Sequence, residues 1–293
     1  MRIIELLKRR IRSLIDINFF YKIYYKICAK FIVQVNRLVK KDSVSIGGGP
    51  DFHAIGWLNL EEVKSKINFH SFKLTPDCIF PLEDCSIKNV YTSHCLEHLD
   101  SDTVNRVLKE SLRVLESGGR LLIKIPDFDR ILNSWRNNDA DMFRDELWDY
   151  GSVVYTWKNR NVVDCLDFRA AMLFCGFWND VYGDHFSNKI SRNINAYHGP
   201  AVVDKIVLRS IISQRSSPQG ISKALREIVI KNEKNYHFNH CNAWSRSELE
   251  QLLVSTGFQV VTFDKPNILN EFKNFPGIME MKDRSMYCWA KKI

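Results

Sequence analysis

The stretch SVSIGGGPDFHAIGWLNLEE, Ser43 to Glu62, sets three glycines directly behind a short apolar run and closes on an acidic pair. A strand, a glycine turn, a second strand and an acid at its end is the order in which many α/β proteins seat a nucleotide-like cofactor. In a dinucleotide-binding unit the turn opens a full helix whose N-terminus holds the pyrophosphate, and the ribose-binding acid lies ~20 residues on. Here Glu61 follows Gly47 by only 14 positions, and PDFHAI between them has room for a turn or two before Gly56 opens the next strand.

So short a link leaves little helix dipole for a diphosphate. A cofactor with a ribose but no phosphates, S-adenosylmethionine, suits it better. Gly47, Gly48 and Gly49 would let the backbone approach the cofactor's amino-acid end, and Glu61 would accept hydrogen bonds from the ribose hydroxyls. A triplet that serves only as a tight turn is the competing reading.

Outward from this stretch the strand and helix signals alternate. SVSIGGG and WLNLE supply the first two strands, and NVYTSHC a third. A helix is expected from about Ser101 to Glu116, with Val104, Val107, Leu108, Leu112 and Leu115 on one stripe and Gly118-Gly119 as its stop. RLLIKI, Arg120–Ile125, reads as a buried strand closed by Pro126. The pattern lapses from Arg130 to about Phe238. That is too long for one loop, holds four of the seven tryptophans, and reads as a helical insertion or lid. It resumes with a capping-box helix (Ser245 and Glu248), a stop at Gly257, a strand over Phe258–Phe263 and a last strand, SMYCWAKK. The class is α/β, a mostly parallel sheet with helices on both faces.

Charge separates the N-terminus from the rest. Residues 1–41 carry eleven Lys/Arg against Glu5 and Asp16, a balance of +9 within a chain total of +8, so the remainder stands at −1. Lys22, Lys26 and Lys30 share one face of a predicted helix, and Ile23, Ile27, Phe31 and Val35 share another. A basic amphipathic helix with many aromatics fits an anionic membrane surface, and it also fits packing on the protein's own body or on a second copy. No run approaches the length of a spanning helix. The eight cysteines show no C-x-x-C pair or metal-like cluster, which reads as reduced thiols of a cytosolic protein, peripheral to the membrane if the helix anchors it. With the body near neutral, nucleic acid is not expected as a partner. Oligomeric state is not set by any pattern in the chain.

Taken in order, SIGGGPDFHAIGWLNLE, FPLEDCSIKNVYTSHCLEHL and LKESLRVLESGGRLLIKIPDFD resemble the class I S-adenosylmethionine-dependent methyltransferases. Within them they are similar to the methyltransferase type 11 group of bacterial surface-polysaccharide pathways. WSRSELEQLLVSTGF and SMYCWAKK look like that family's last helix and strand, so the resemblance covers Val44–Asp129 and Asn239–Lys291. It implies a Rossmann-like sheet of seven strands, S-adenosylmethionine as cofactor, and a methyltransferase domain over 42–293 with 130–238 as insertion. Carried over by position, Gly47 and Gly49 match the cofactor loop, with Gly48 where the family often has a small residue or Cys. Glu61 matches the ribose acid, and Ser93 and His94 the end of the family's fourth strand. The family's adenine-side Asp falls on Lys73 or, with a small shift, Asp77; Asp77 is preferred.

Methyl transfer to a hydroxyl needs alignment and a proton acceptor, and histidine is the usual base. His94 is the first candidate, since strand C-terminal ends face the crevice of an open α/β sheet. Asp127, after Pro126, would orient a base or bind the acceptor, or else form a turn. His240, ahead of the capping-box helix, would reach the same crevice or sit in a polar loop. His98 reads as a capping or packing residue, His185 and His198 have no geometric handle, and no residue is assigned to a metal. The expected reaction is O-methylation of a sugar hydroxyl on a surface glycan or lipid-linked saccharide. A lipid or quinone head-group methyltransferase and a non-catalytic membrane scaffold are the alternatives.

Overall fold

The computed structural model describes residues 31, 34–36, 38–49, 52, 54–64, 71–139, 170, 173–174, 205–229, 240–278 and 284–293. The strands are β1 Ser43–Ile46, β2 Trp57–Leu60, β3 Ile87–Ser93, β4 Leu115–Pro126, β5 Phe258–Thr262 and β6 Ser285–Lys292, in the spatial order β2-β1-β3-β4-β6-β5. β1 runs parallel to β2 and β3, and β3 parallel to β4. β6 enters antiparallel between β4 and β5. Parallel neighbours need a crossover, and the one between β3 and β4 is helical.

Between β3 and β4 lies α1, Ser101–Val114. Asp100 caps it, its carboxylate accepting from the Thr103 N–H at 2.9 Å. The next helices are α2 Phe128–Arg136, α3 Lys205–Gln214 and α4 Pro218–Val229. α5 is Arg246–Thr256, opened by the Ser245/Glu248 capping box and ended by Gly257 at φ 109°. α6, Lys265–Glu271, carries its Pro in the first turn.

Alternation along β3 and β4 sends side chains to two faces. Val90, Leu121 and Ile123 join Val44 and Ile46 in one cluster, covered by Val104, Val107 and Leu108 of α1 and Leu249 and Leu253 of α5. Tyr91 and Leu122 point the other way, to Ile268 of α6, Phe272 and Tyr287. Helices therefore cover both faces, and truncating a residue such as Leu108 to Ala would cost roughly 2–5 kcal/mol. A further cluster gathers Phe128, Ile131 and Trp135 of α2 with Phe174, Leu208, Ile221 and Leu225.

Three expectations need correction or placement. Six strands of the sheet lie among the described residues, and the seventh that the resemblance implies is not among them. The first long helix stops at Val114, not Glu116, because Leu115 is already paired with Ile87 and β4 runs on through Gly118-Gly119. Of the N-terminal segment, residues 31, 34–36 and 38 are helical, 39–41 lead from there to β1, and the other residues of 1–41 lie outside the described residues, as do Trp148, Trp157, Trp178, His185 and His198.

Candidate active site

The chain leaves β1 for β2 on one side and comes back to β3 on the other. The C-terminal ends of β1 and β3 therefore flank a crevice where strand order reverses. Gly47 and Gly49 adopt φ 61° and 81°, in the left-handed region that favours glycine. The Gly47 N–H donates to the Leu60 carbonyl at 2.9 Å, tying the loop to β2. A Cβ at Gly47 would lie 2.3 Å from Cys95 Sγ, and one at Gly48 would lie 2.5 Å from Ser45 Oγ and 2.8 Å from Asn59 Oδ1. The loop thus lies tight between the two strand ends, where only glycine fits.

Trp57, Asn59 and Glu61 share one side of β2 by the two-residue period. Asn59 Nδ2 donates to the Gly49 carbonyl at 2.9 Å. Glu61 Oε2 accepts from the Gly49 N–H at 3.0 Å, and Oε1 from the Val63 N–H at 3.0 Å. The carboxylate is held against the glycine loop by both of its oxygens. An acid fixed there, beside a backbone stripped of Cβ atoms, fits a ribose with its attached amino-acid chain. Gly47, Gly48, Gly49 and Glu61 would hold S-adenosylmethionine.

At the end of β3 the backbone turns sharply. His94 has φ 50°, an uncommon conformation for a residue with a side chain, and its N–H donates to the Lys124 carbonyl at 2.8 Å. Its Nδ1 lies 3.2 Å from Glu97 Oε1, and its Nε2 lies 2.9 Å from Ser285 Oγ at the start of β6. Glu97 is fully buried in a short 3-10 turn, Leu96–His98. Burial alone would raise its pKa, but the hydrogen bond from His94, with the histidines around it, holds it below the ordinary value. The carboxylate is ionised, so Nδ1 donates to it. That leaves Nε2 as the basic nitrogen, accepting from the Ser285 hydroxyl.

The other sequence candidates divide. His240 lies buried 143 residues beyond Glu97 in the chain, its ring 4.8 Å from that of His98 and its Nδ1–H donating to the Leu173 carbonyl at 2.7 Å. Burial, helped by the adjacent His98, lowers its pKa to about 3 and keeps it neutral. Ser93 ends β3 in register with Lys124. Asp127 caps α2, accepting from the Arg130 N–H at 3.1 Å. Asp77 is exposed, with the Thr75 hydroxyl lowering its pKa, and Lys73 pairs with Glu62 at 3.8 Å on the surface. The structure thus gathers the glycine loop with Glu61, and His94 with Glu97, His98 and His240, while Asp127 and Asp77 make local contacts.

Asn59, Cys95, Glu97 and Ser285 went unnoticed in the sequence. For Asn59 and Glu97 a signal existed, in the two-residue alternation of WLNLE and the three-residue step from His94. Ser285 gave none.

Residues 50–123 match a family model described as a methyltransferase domain. The chain carries a methyltransferase domain. Its fold is the Rossmann-like class I methyltransferase fold, with the last strand inserted antiparallel beside β4, and S-adenosylmethionine is the cofactor. No curated protein matches this methyltransferase in sequence. Among solved structures it is similar to an S-adenosylmethionine-dependent methyltransferase from Mesorhizobium loti, at 10% identity over 88% of this chain and 96% of that one, TM-score 0.36. A second, a putative S-adenosylmethionine-dependent methyltransferase from Listeria monocytogenes, shows 14% identity over 92% and 98%, TM-score 0.37. Likenesses at those scores add nothing to the strand order and the domain match.

Proposed function

We propose that this methyltransferase O-methylates a sugar hydroxyl of a surface glycan or lipid-linked saccharide. The observation that carries the reading is the His94 ring, oriented by Glu97 on one nitrogen and turned toward a hydroxyl oxygen, Ser285 Oγ at 2.9 Å, on the other. A hydroxyl is a poor nucleophile until its proton is removed, and an imidazole held in one tautomer by a carboxylate is suited to that task. S-adenosylmethionine supplies an electrophilic methyl group. The glycine loop and Glu61 position the donor side of the crevice, and Ser93 lines its floor at the end of β3. With the donor bound, His94 Nε2 would take the acceptor proton as the oxygen–carbon bond forms and the sulfonium S–CH3 bond breaks to leave S-adenosylhomocysteine, and Glu97 would stabilise the imidazolium. Asp127 and His240 support this site from its edge, the first by fixing the start of α2 after β4. Asp77 is assigned to the adenine side of the crevice.

The basic segment 1–41 would hold the enzyme at an anionic membrane surface on the cytoplasmic side, where lipid-linked saccharides are presented. No helix among the described residues is long and apolar enough to cross a membrane. The test is release of S-adenosylhomocysteine on addition of lipid-linked or free saccharides, with the methylated position read by mass spectrometry. Turnover on a saccharide hydroxyl supports the reading. Turnover confined to quinone or lipid head groups replaces it, and a protein that binds no S-adenosylhomocysteine is a scaffold.

A further inference from the structure

The turn after β3 and the loop before α5 meet where three donor groups converge. One ligand atom each from Glu97, His98 and His240 lies within 4.8 Å of the others. Glu97 and His240 are buried and His98 is partly so. We propose that these three side chains form a binding site for one divalent first-row metal ion of the zinc class. The inference concerns the turn itself and does not depend on the acceptor proposed above.

Two of the three ligands are already prepared. Glu97 uses Oε1 for His94, and its Oε2, buried, has no hydrogen-bond partner among the described residues. A buried carboxylate oxygen with no donor is costly, and a cation is the natural complement. His240 donates Nδ1–H to the Leu173 carbonyl, which fixes the tautomer and leaves the lone pair on Nε2. A backbone carbonyl on the remote nitrogen is the usual support of a metal-bound imidazole. The main chain is fixed too, since the Glu97 carbonyl accepts from the Cys241 and Asn242 N–H groups at 2.5 and 3.1 Å. Asn242 Nδ2 adds a bond to the Leu99 carbonyl at 2.6 Å. The two loops that supply the ligands are therefore clamped before any ion arrives.

Two imidazoles and one carboxylate form the donor set of zinc and of other borderline first-row ions, not of magnesium or calcium, which prefer all-oxygen sites. Tetrahedral bonds of ~2.0–2.1 Å place donors about 3.3 Å apart, so the separation of at most 4.8 Å closes by side-chain rotations of about 1.5 Å. Three protein ligands leave a further position for water or another ligand. The ion ties the start of α5 to the end of β3 and holds Glu97 rigid behind His94.

The experiment uses the full chain, stripped with a chelator and titrated with zinc chloride against an indicator dye, and separately with cobalt chloride. One equivalent of zinc should bind and raise the melting temperature, and cobalt should give the visible absorption of a tetrahedral site without thiolate charge transfer. His98→Gln, at the partly exposed ligand, and His240→Ala should each weaken zinc binding by at least about 100-fold, more than loss of a supporting group would. Folded wild-type protein that binds neither ion stoichiometrically, a cobalt spectrum showing thiolate ligands, or unchanged affinity in folded His98→Gln protein would each overturn the proposal.

Discussion

Nδ1 of His94 lies 3.2 Å from Oε1 of Glu97, while the opposite nitrogen of the same ring lies 2.9 Å from Ser285 Oγ. One imidazole thus spans a buried carboxylate and a hydroxyl contributed from 191 residues away. If Nε2 is the base, His94→Ala should lower kcat by about 10²- to 10⁴-fold while leaving S-adenosylhomocysteine affinity within a few-fold. Ser285→Ala should keep most of the activity, because it removes only the group that occupies Nε2 before the acceptor arrives. Steady-state kinetics beside calorimetry separates these outcomes. An active His94→Ala enzyme would move the base elsewhere.

Glu61 is the corresponding test of the cofactor side. Its carboxylate fixes the Gly49 and Val63 N–H groups and is assigned to the ribose. A hydrogen bond to a charged group contributes about 1.5–3 kcal/mol, so Glu61→Ala should weaken S-adenosylhomocysteine binding by about 10- to 100-fold in calorimetry. Unchanged affinity would mean that the loop serves only as a turn.

Gly47 and Gly118 both have positive φ, at 61° and 76°, yet a Cβ meets Cys95 Sγ at 2.3 Å in the first case and nothing within 4 Å in the second. Gly118→Ala should therefore show only the backbone cost, about 1 kcal/mol. Gly47→Ala should lose roughly 2–4 kcal/mol in thermal or denaturant unfolding. Equal effects at the two sites would contradict the close approach of Cys95 to the loop.

Glu110 adds acid sensitivity to the fold. Burial would raise its pKa, but Arg113 at 2.7 Å, the Phe80 N–H at 2.8 Å and the charge of Arg106 outweigh burial and lower it. The carboxylate therefore stabilises the fold at pH values above its unfolded pKa of ~4.3. That contribution is lost as pH falls from there through the lowered folded value. Glu110→Gln should lose about 2–3 kcal/mol at neutral pH and show a flatter decline in acid. Denaturant melts from pH 7 to 3 read both effects.

Membrane attachment through residues 1–41 is best tested by charge reversal. Asn36 donates to the Ala54 carbonyl and accepts from the Gly56 N–H, both at 2.8 Å, so deleting the whole segment would also disturb the loop after the glycines. Replacing Lys22, Lys26 and Lys30 with Glu should abolish flotation with anionic vesicles and leave the melting temperature within a few degrees. Flotation unaffected by the reversal would count against electrostatic attachment.

Much of this molecule is written locally. Strand, glycine turn, strand and acid fall within Ser43–Glu62, and β1, β2 and the loop between them form as that order predicts. The Ser245/Glu248 capping box and the Gly257 stop are likewise local chemistry and hold in the fold. The end of α1 misleads because Leu115 continues the helical stripe, while its pairing with Ile87 across the sheet makes it strand. The surroundings of His94 were least legible. Ser285 and His240 reach it only through long crossovers, and no spacing in a linear chain records which distant residues a sheet will bring together.

The left-handed backbone at His94 has one further consequence. Glycine or asparagine would relax that turn by roughly 1 kcal/mol, but either would leave the buried Glu97 Oε1 without its donor, a loss of about 3–5 kcal/mol. Selection for thermostability alone should therefore retain the imidazole even where turnover is not demanded. Drift to glycine would instead require a second change at Glu97, which makes the pair a place where evolution experiments can weigh backbone strain against buried charge.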